Sequence, residues 1–226
     1  MTTVVLLRHG QTEWNRTRRI QGWAASPLNE RGREQARVAG QYLADAYEFD
    51  RLVSSDLRRT RETTAMVREQ GAFPEPEFTD GWRERSFGEL QGLEYDQVFG
   101  EFPEFDAAAN GVMALEATPN RGESMLDTRA RVVDAWEDLL AQQAPDETVL
   151  VVTHGGPIYV LLAHVREQSL PEALGAVRQE NCAVNELHHD HDTGETTVVS
   201  ENDTSYRDDA AIEERVDLAA TGEADD

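Results

Sequence analysis

Two continuous apolar runs, "TTVVLLR" (2–8) and the "TVLVVT" part of "ETVLVVTHGG" (147–156), constrain this chain more than anything else in it. A run with no alternation of polar and apolar residues suits a strand buried on both faces, the kind found in parallel sheets. "FDRLVSS" (49–55) reads as a third, shorter strand. The intervening segments have helical periodicity. "LNERGREQARVAGQYLADAY" (28–47) sets Ala36, Ala39, Gly40 and Leu43 on one face, with Asn29 as N-cap. "DLRRTRETTAMVREQ" (56–70) reads as a helix with an acid in its first turn. "SMLDTRARVVDAWEDLLAQQ" (124–143) opens on a capping box from Ser124 to Asp127. "PIYVLLAHV" (157–165) follows the last apolar strand as a helix, with Pro157 in its first turn. "AVNELHHD" and "ETTVVSEN" pair around "HDTG" as a hairpin. Strands alternating with helices predict an α/β sheet covered on both faces. With 226 residues and neither a linker nor an internal repeat, the chain reads as one domain.

In such sheets ligands bind at the carboxyl ends of the strands. The three strands end in "RHG", "SSDLRR" and "THGG", so each delivers a guanidinium or an imidazole to one edge. Arg8 and His9 alone would pass for a polar strand end. Two histidines and two arginines at one edge instead suit a phosphoryl group. Arginine matches phosphate oxygens with a planar fork and keeps its charge. Glycines beside the histidines free backbone N–H groups at helix starts for the same anion. A neutral imidazole can take the phosphoryl group as phosphohistidine and split one displacement into two. The leaving alkoxide needs a proton, and "DGWRERSFGELQG" (80–92) offers Glu84 and Glu89 as carboxyl donors.

Taken in order, "RHGQTEWN", "SSDLRRTRETT", "RERSFGELQG", "RGES" and "VVTHGG" resemble the histidine phosphatase superfamily, in its phosphoglycerate mutase-like branch. The likeness spans about residues 3 to 205 and includes a late "ENDTSY". It implies a single-domain three-layer sandwich: a mostly parallel sheet with helices on both faces. Carried over by motif, His9 matches the nucleophile, Arg8 a phosphate ligand and His154 the second histidine. The family phrase S-x-L-x-R-[AT] places the functional arginine at Arg59 and leaves Arg58 at the surface. Glu84, ahead of Glu89, matches the proton donor. Thr12, Asn15, Gln21 and Gly22 match positions lining the pocket, and Gly155 matches a backbone donor. The catalytic domain is expected over 1–207, followed by an acidic, disordered tail over 208–226.

Other features carry less. "HHDHD" (188–192) has metal-binding residue types but falls at a hairpin turn, where alternate side chains diverge. His164 reads as a packed residue, Trp136 as core, and Trp14 and Trp23 as pocket walls. The single Cys182 forms no internal disulfide and fits a reducing compartment. The opening residues lack a basic leader and no stretch reaches the roughly 20 apolar residues of a membrane span, so a cytoplasmic protein is expected.

Asp and Glu number 44 against 21 Lys plus Arg, a net charge of −23, and the sequence has no lysine. This surface repels nucleic acid and anionic membranes, which removes both as partners. Without lysine, a P-loop enzyme is excluded. The partner is a small phosphorylated substrate; its identity and the oligomeric state are not readable. Two activities remain open. A mutase needs added anchoring, supplied in the cofactor-dependent mutases by a long basic insertion before "GES". Here that interval (93–121) is short and acidic, with Arg121 its only cation. This favours a phosphatase without cofactor over a mutase that uses 2,3-bisphosphoglycerate. An inactive phospho-ligand-binding relative fits poorly, because His9, Glu84 and His154 are all present. The dispersed acids resemble those of salt-accumulating organisms. Salt screens like-charge repulsion, so the melting temperature should rise between millimolar and molar salt; an unchanged value would refute the halophilic reading.

Overall fold

The computed structural model describes residues 1–105, 111–174 and 179–221. The strands are β1 (Thr2–Arg8), β2 (Arg51–Ser55), β3 (Pro76–Thr79), β4 (Thr148–Thr153), β5 (Val184–His189) and β6 (Thr196–Asp203). The described helices are α1 (Glu13–Arg16), α2 (Glu30–Ala46), α3 (Arg58–Arg68), α4 (Tyr95–Glu101), α5 (Val112–Glu116), α6 (Met125–Ala141), α7 (Gly155–Val165), α8 (Leu170–Leu174) and α9 (Asp209–Thr221). One sheet runs in the order β3-β2-β4-β1-β5-β6. Its first four strands are parallel, while β5 and β6 add an antiparallel edge. The expected mostly parallel, doubly covered sheet is what forms.

The apolar runs become the central strands. Val4, Leu6, Val149 and Val151 pack on one face with Trp82, Val132, Trp136, Ile158 and Leu161. Val5, Leu7, Leu150 and Val152 pack on the other with Ala36, Ala39, Leu43 and Val67. Successive residues thus feed opposite cores, which is why the runs do not alternate. Each fully buried Val or Leu contributes roughly 1.5–3 kcal/mol of transfer free energy. The capping box at α6 forms as read, with the Asp127 N–H donating to Ser124 Oγ at 2.9 Å and the Ser124 N–H to Asp127 Oδ2 at 3.0 Å.

Parallel pairing fixes the site. Arg8 lies opposite Thr153 in the β1–β4 register, so His9 and His154 are the next residues of two adjacent strands. The His9 N–H donates to the Thr153 carbonyl at 3.0 Å, which locks the two strand ends together.

Several boundaries differ from the sequence reading. The helix after β2 begins at Arg58, so Asp56 is not in its first turn; it accepts from Arg83 Nε at 2.6 Å instead. The helix after β4 begins at Gly155 rather than Pro157. β3, α1, α4 and α5 were not anticipated. In the 93–121 segment, Val98 and Phe105 form a satellite core with Ile20 and Leu90.

The tail is the largest correction. The segment expected to be disordered is helical as α9, and Ile212 is fully buried. The reading weighed acidic charge alone, but the acids have partners on α2. Asp209 pairs with Arg31 at 3.2 Å, Glu213 also pairs with Arg31, and Arg215 pairs with Glu34. One apolar anchor and these ion pairs dock the helix. Residues 222–226 lie outside the described residues.

Candidate active site

His9 and His154 stand at the carboxyl edge of the sheet with ring centroids 5.2 Å apart, and they are 2% and 0% exposed. The environment of the His9 ring fixes its tautomer. His9 Nδ1 is 2.7 Å from the Gly10 carbonyl, an acceptor only, so Nδ1 carries the proton and donates. Nε2 therefore keeps its lone pair, and Arg59 Nε–H donates to it at 3.2 Å. His154 Nε2 lies 2.8 Å from Ser55 Oγ, which also accepts the Leu57 N–H at 3.4 Å. The buried His154 Nδ1 has no protein partner among the described residues and is open to a ligand.

Both imidazoles are held neutral. Burial first, then the charges of Arg59 and Arg8, place the His9 pKa well below 6.5. For His154, burial leads, followed by Arg59, His9, Arg8 and Arg131.

Arg59 is 1% exposed and projects inward from the first turn of α3. Burial lowers its pKa to about 10, which leaves it charged at neutral pH. Beyond His9, it donates to the Gly22 carbonyl at 2.8 Å and to the Ala24 carbonyl at 3.3 Å. Gly22 has φ +51°, and a Cβ there would lie 2.2 Å from Gln91 Oε1. Only glycine presents its carbonyl to Arg59 in that way. Arg58, one residue or about 100° earlier, is half-exposed and pairs with Glu62 at 2.7 Å. The structure thus puts Arg59, the arginine that the family phrase pointed to, beside His9 and Arg58 at the surface. Arg8 donates to the Gln179 carbonyl and passes close to Gly155 at the start of α7.

Thr12 caps α1, with its hydroxyl 3.0 Å from both Asn15 Oδ1 and Gln21 Oε1. These three residues are thus one hydrogen-bonded group beside the His9 loop. Asn181 joins it, donating to the His9 carbonyl at 3.0 Å and to Asn15 Oδ1 at 3.4 Å. Sequence reasoning missed Asn181, on a loop with no motif, and gave no role to Ser55, the first residue of S-x-L-x-R-[AT].

Glu84 arrives from the irregular segment after β3. Its Oε1 accepts the Arg85 N–H at 2.8 Å and its Oε2 the Gly156 N–H at 3.1 Å. A Cβ on Gly156 would sit 2.0 Å from Glu84 Oε1, so the second glycine of "THGG" is the space the carboxyl needs. Glu89 points away: it is exposed and accepts from Asn120 Nδ2 at 2.8 Å. Trp23 lies against the same loop, donating Nε1–H to the Glu84 carbonyl at 2.7 Å beneath Arg83. Trp136 is core, as read. The "HHDHD" side chains spread over separate partners: His188 on Glu186, His189 on Thr196 and His191 on Thr2.

The arrangement combines a neutral imidazole whose Nε2 lone pair meets Arg59, a second guanidinium, a second imidazole and a carboxyl group. Comparison with known proteins identifies its lineage. The family model "Histidine phosphatase superfamily (branch 1)" matches residues 4–204. The chain belongs to the histidine phosphatase superfamily. Among superfamily relatives, a metal-independent phosphoserine phosphatase of Arabidopsis thaliana is 34% identical over 83% of this chain and 76% of its own length. A 2,3-bisphosphoglycerate-dependent phosphoglycerate mutase of Gloeobacter violaceus is 32% identical over 85% of this chain and 88% of its own. Among solved structures, a mycobacterial glucosyl-3-phosphoglycerate phosphatase complexed with VO3 superposes with TM-score 0.78, at 29% identity, over 89% of this chain and 99% of that one. The phosphatase and mutase names mark this chain as an enzyme of the same kind. Among the described residues, no helix is long and apolar enough to cross a membrane.

Arg59→Ala removes the buried cation that touches His9 and should lower turnover by at least 100-fold, on the scale of one lost transition-state donor. Arg58→Ala should change it less than about 2-fold, as for an exposed ion pair. Steady-state rates with one phosphomonoester check both; equal losses would reverse the assignment.

The neutral histidines also set a pH dependence. In the unfolded chain each takes up a proton near pH 6.5, while the folded protein refuses it until well below that value. The unfolded state then binds more protons, so stability falls as pH drops through this window, by up to about 1.4 kcal/mol per pH unit for each histidine. Denaturant melts from about pH 7 to pH 5 should show a shallower acid loss in His154→Asn than in the wild type. Parallel curves would contradict neutral burial of His154.

Proposed function

We propose that this enzyme hydrolyses a small phosphomonoester through a phosphohistidine at His9, without metal or organic cofactor. The observation that carries this reading is the His9 tautomer: Nδ1–H bound to the Gly10 carbonyl leaves the Nε2 lone pair facing Arg59 and His154. A phosphoryl group entering there exchanges the Arg59–His9 hydrogen bond for contacts from Arg59 and Arg8 to its own oxygens. His154 Nδ1 and the backbone at Gly155 supply further contacts, and Thr12, Asn15, Gln21 and Gly22 shape the pocket wall. Nε2 attacks phosphorus, the P–O ester bond breaks, and the departing oxygen takes a proton from Glu84. Glu84, now a carboxylate, removes a proton from water as that water attacks phosphorus. The P–N bond breaks, and phosphate and neutral His9 result. Preorganised cations act throughout without reorganising.

Charge supports hydrolysis over mutation. The cations around the 93–121 segment are spent on acids in it or beside it: Arg18 on Asp96 at 2.9 Å, Arg19 on Glu94 at 3.3 Å, and Arg121 on Glu89 at 3.8 Å. A bound phosphoglycerate, with a second anionic group, gains little attraction from such a rim. The second reading, a mutase primed by 2,3-bisphosphoglycerate, is favoured by the mutases among the relatives. The acidic, lysine-free composition supports a salt-rich cytoplasm as its setting.

Two measurements test the proposal. Acid quench alone destroys a phosphohistidine, so labelled substrate should leave base-stable, acid-labile phosphate on His9, and none in His9→Ala. A panel of phosphomonoesters, with and without 2,3-bisphosphoglycerate, should release inorganic phosphate in both cases. Rapid isomerisation of 3-phosphoglycerate with little phosphate release would install the mutase reading instead.

A further inference from the structure

Glu84 sits on a segment with no strand or helix to hold it, between β3 and the 3-10 turn at Gly88–Leu90. A carboxyl group that transfers protons within one hydrogen-bond length needs its backbone fixed. Arg131, on α6, supplies that fixation. Its NH1 donates to the carbonyls of Gly81 at 3.0 Å and Arg83 at 2.8 Å, and reaches that of Asp80 at 3.3 Å. Its NH2 donates to the Glu84 carbonyl at 3.2 Å. The other side of the guanidinium grips Glu123, with Nε to Oε1 at 3.0 Å and NH2 to Oε2 at 2.9 Å. Glu123 extends the grip: its Oε2 accepts the Ser86 N–H at 2.9 Å, and its main chain pairs with Ser86 and Arg85.

The pair therefore brackets the segment on both sides of Glu84, from Gly81 to Ser86. Both side chains are mostly buried, at 18% exposure each. The geometry requires arginine. Four main-chain carbonyls and a bidentate carboxylate face one planar fork of five donors, which an ammonium with three cannot satisfy together. It also gives Glu123 of "RGES" a role the motif alone does not reveal.

We infer that Arg131, with Glu123, is a positioning residue for the general acid, holding the Glu84 main chain so that its carboxyl meets the leaving oxygen. The inference rests on Glu84 acting as the acid, as proposed above. It acts only through Glu84, and kcat/KM reports the step in which Glu84 protonates the leaving group; this separates it from a general structural role. A less stable protein has fewer active molecules and loses the same factor with every ester. A misplaced acid loses most where the leaving group is most basic.

The experiment uses the full chain and a series of aryl phosphates from p-nitrophenyl to phenyl phosphate. The readout is the slope of log kcat/KM against leaving-group pKa, which reports phosphoryl transfer to His9. In the wild type the slope should be shallow, because Glu84 neutralises the departing oxygen. Glu84→Gln should steepen it. Arg131→Met should steepen it too, with phenyl phosphate losing up to about 100-fold and p-nitrophenyl phosphate only a few-fold. Arg131→Lys should fall between. If Arg131→Met does not fold, Glu123→Gln reports on the same clamp and should steepen the slope likewise. A steep slope for Glu84→Gln with a uniform loss across the series for both clamp variants overturns the positioning role and leaves the acid intact. A wild-type slope in Glu84→Gln overturns the acid assignment itself, and the inference with it.

Discussion

The contact on which the site depends is the hydrogen bond from Arg59 Nε–H to His9 Nε2, a buried cation donating to a neutral base. It forms only if His9 carries its single proton on Nδ1, and that in turn needs the Gly10 carbonyl beside the ring. A protonated imidazole here would face two guanidiniums without water to screen them, at a cost of several kcal/mol. The surrounding structure can be read as what makes this contact possible. Gly22, in the left-handed region, turns its carbonyl to Arg59, Ser55 orients His154, and the β1–β4 register sets the two histidines side by side. The result is two guanidiniums set beside neutral bases at the sheet edge, the kind of charge arrangement that suits a phosphate anion.

The half of the site at the sheet edge was legible in the sequence, because short-range rules place it. Unalternating apolar runs identify buried parallel strands, parallel strands share a carboxyl edge, and the residues just past each run are Arg8, His9 and His154. Helical rotation of 100° per residue keeps Arg58 and Arg59 from facing the site together, and the resemblance to the family chose Arg59. The remainder depends on contacts between residues far apart in sequence, which periodicity does not encode. Arg131 lies on an amphipathic helix with no motif to single it out, and the carbonyls it holds are some 50 residues earlier. Gly156 reads as a helix-start glycine, whereas its conspicuous constraint is the Glu84 carboxyl. The resemblance to a family ranked Glu84 above Glu89; spacing alone left both open.

The tail shows the same limit from the other side. Composition described "RDDAAIEERVDLAATGEADD" as a repelling acidic run, which it would be in isolation. On α2, however, Arg31 and Glu34 present opposite charges to Asp209, Glu213 and Arg215, and Ile212 enters a fully buried position. Individual exposed ion pairs contribute little, with a median of about 0–1 kcal/mol. The apolar anchor supplies the larger share and the pairs choose the register. In a chain with a −23 charge, each arginine so used is one of only 21 cations available. The protein commits most of them to specific pairs rather than to a general basic surface.

Two frameworks of different rigidity therefore meet at one substrate. The phosphoryl end is held by consecutive residues of paired strands and by the first turns of α3 and α7, where any displacement must move the sheet. The leaving-group end is held by an irregular segment whose position depends on side chains, above all Arg131, Glu123 and Trp23. Chemistry common to a superfamily of phosphatases and mutases belongs on the first framework, because every member handles the same phosphoryl group. Discrimination among esters, and the choice between releasing the phosphoryl group to water and returning it to a substrate oxygen, belongs on the second. That division explains why the sheet edge was readable from the sequence, while the place of Glu84, set by side-chain packing rather than backbone register, was not.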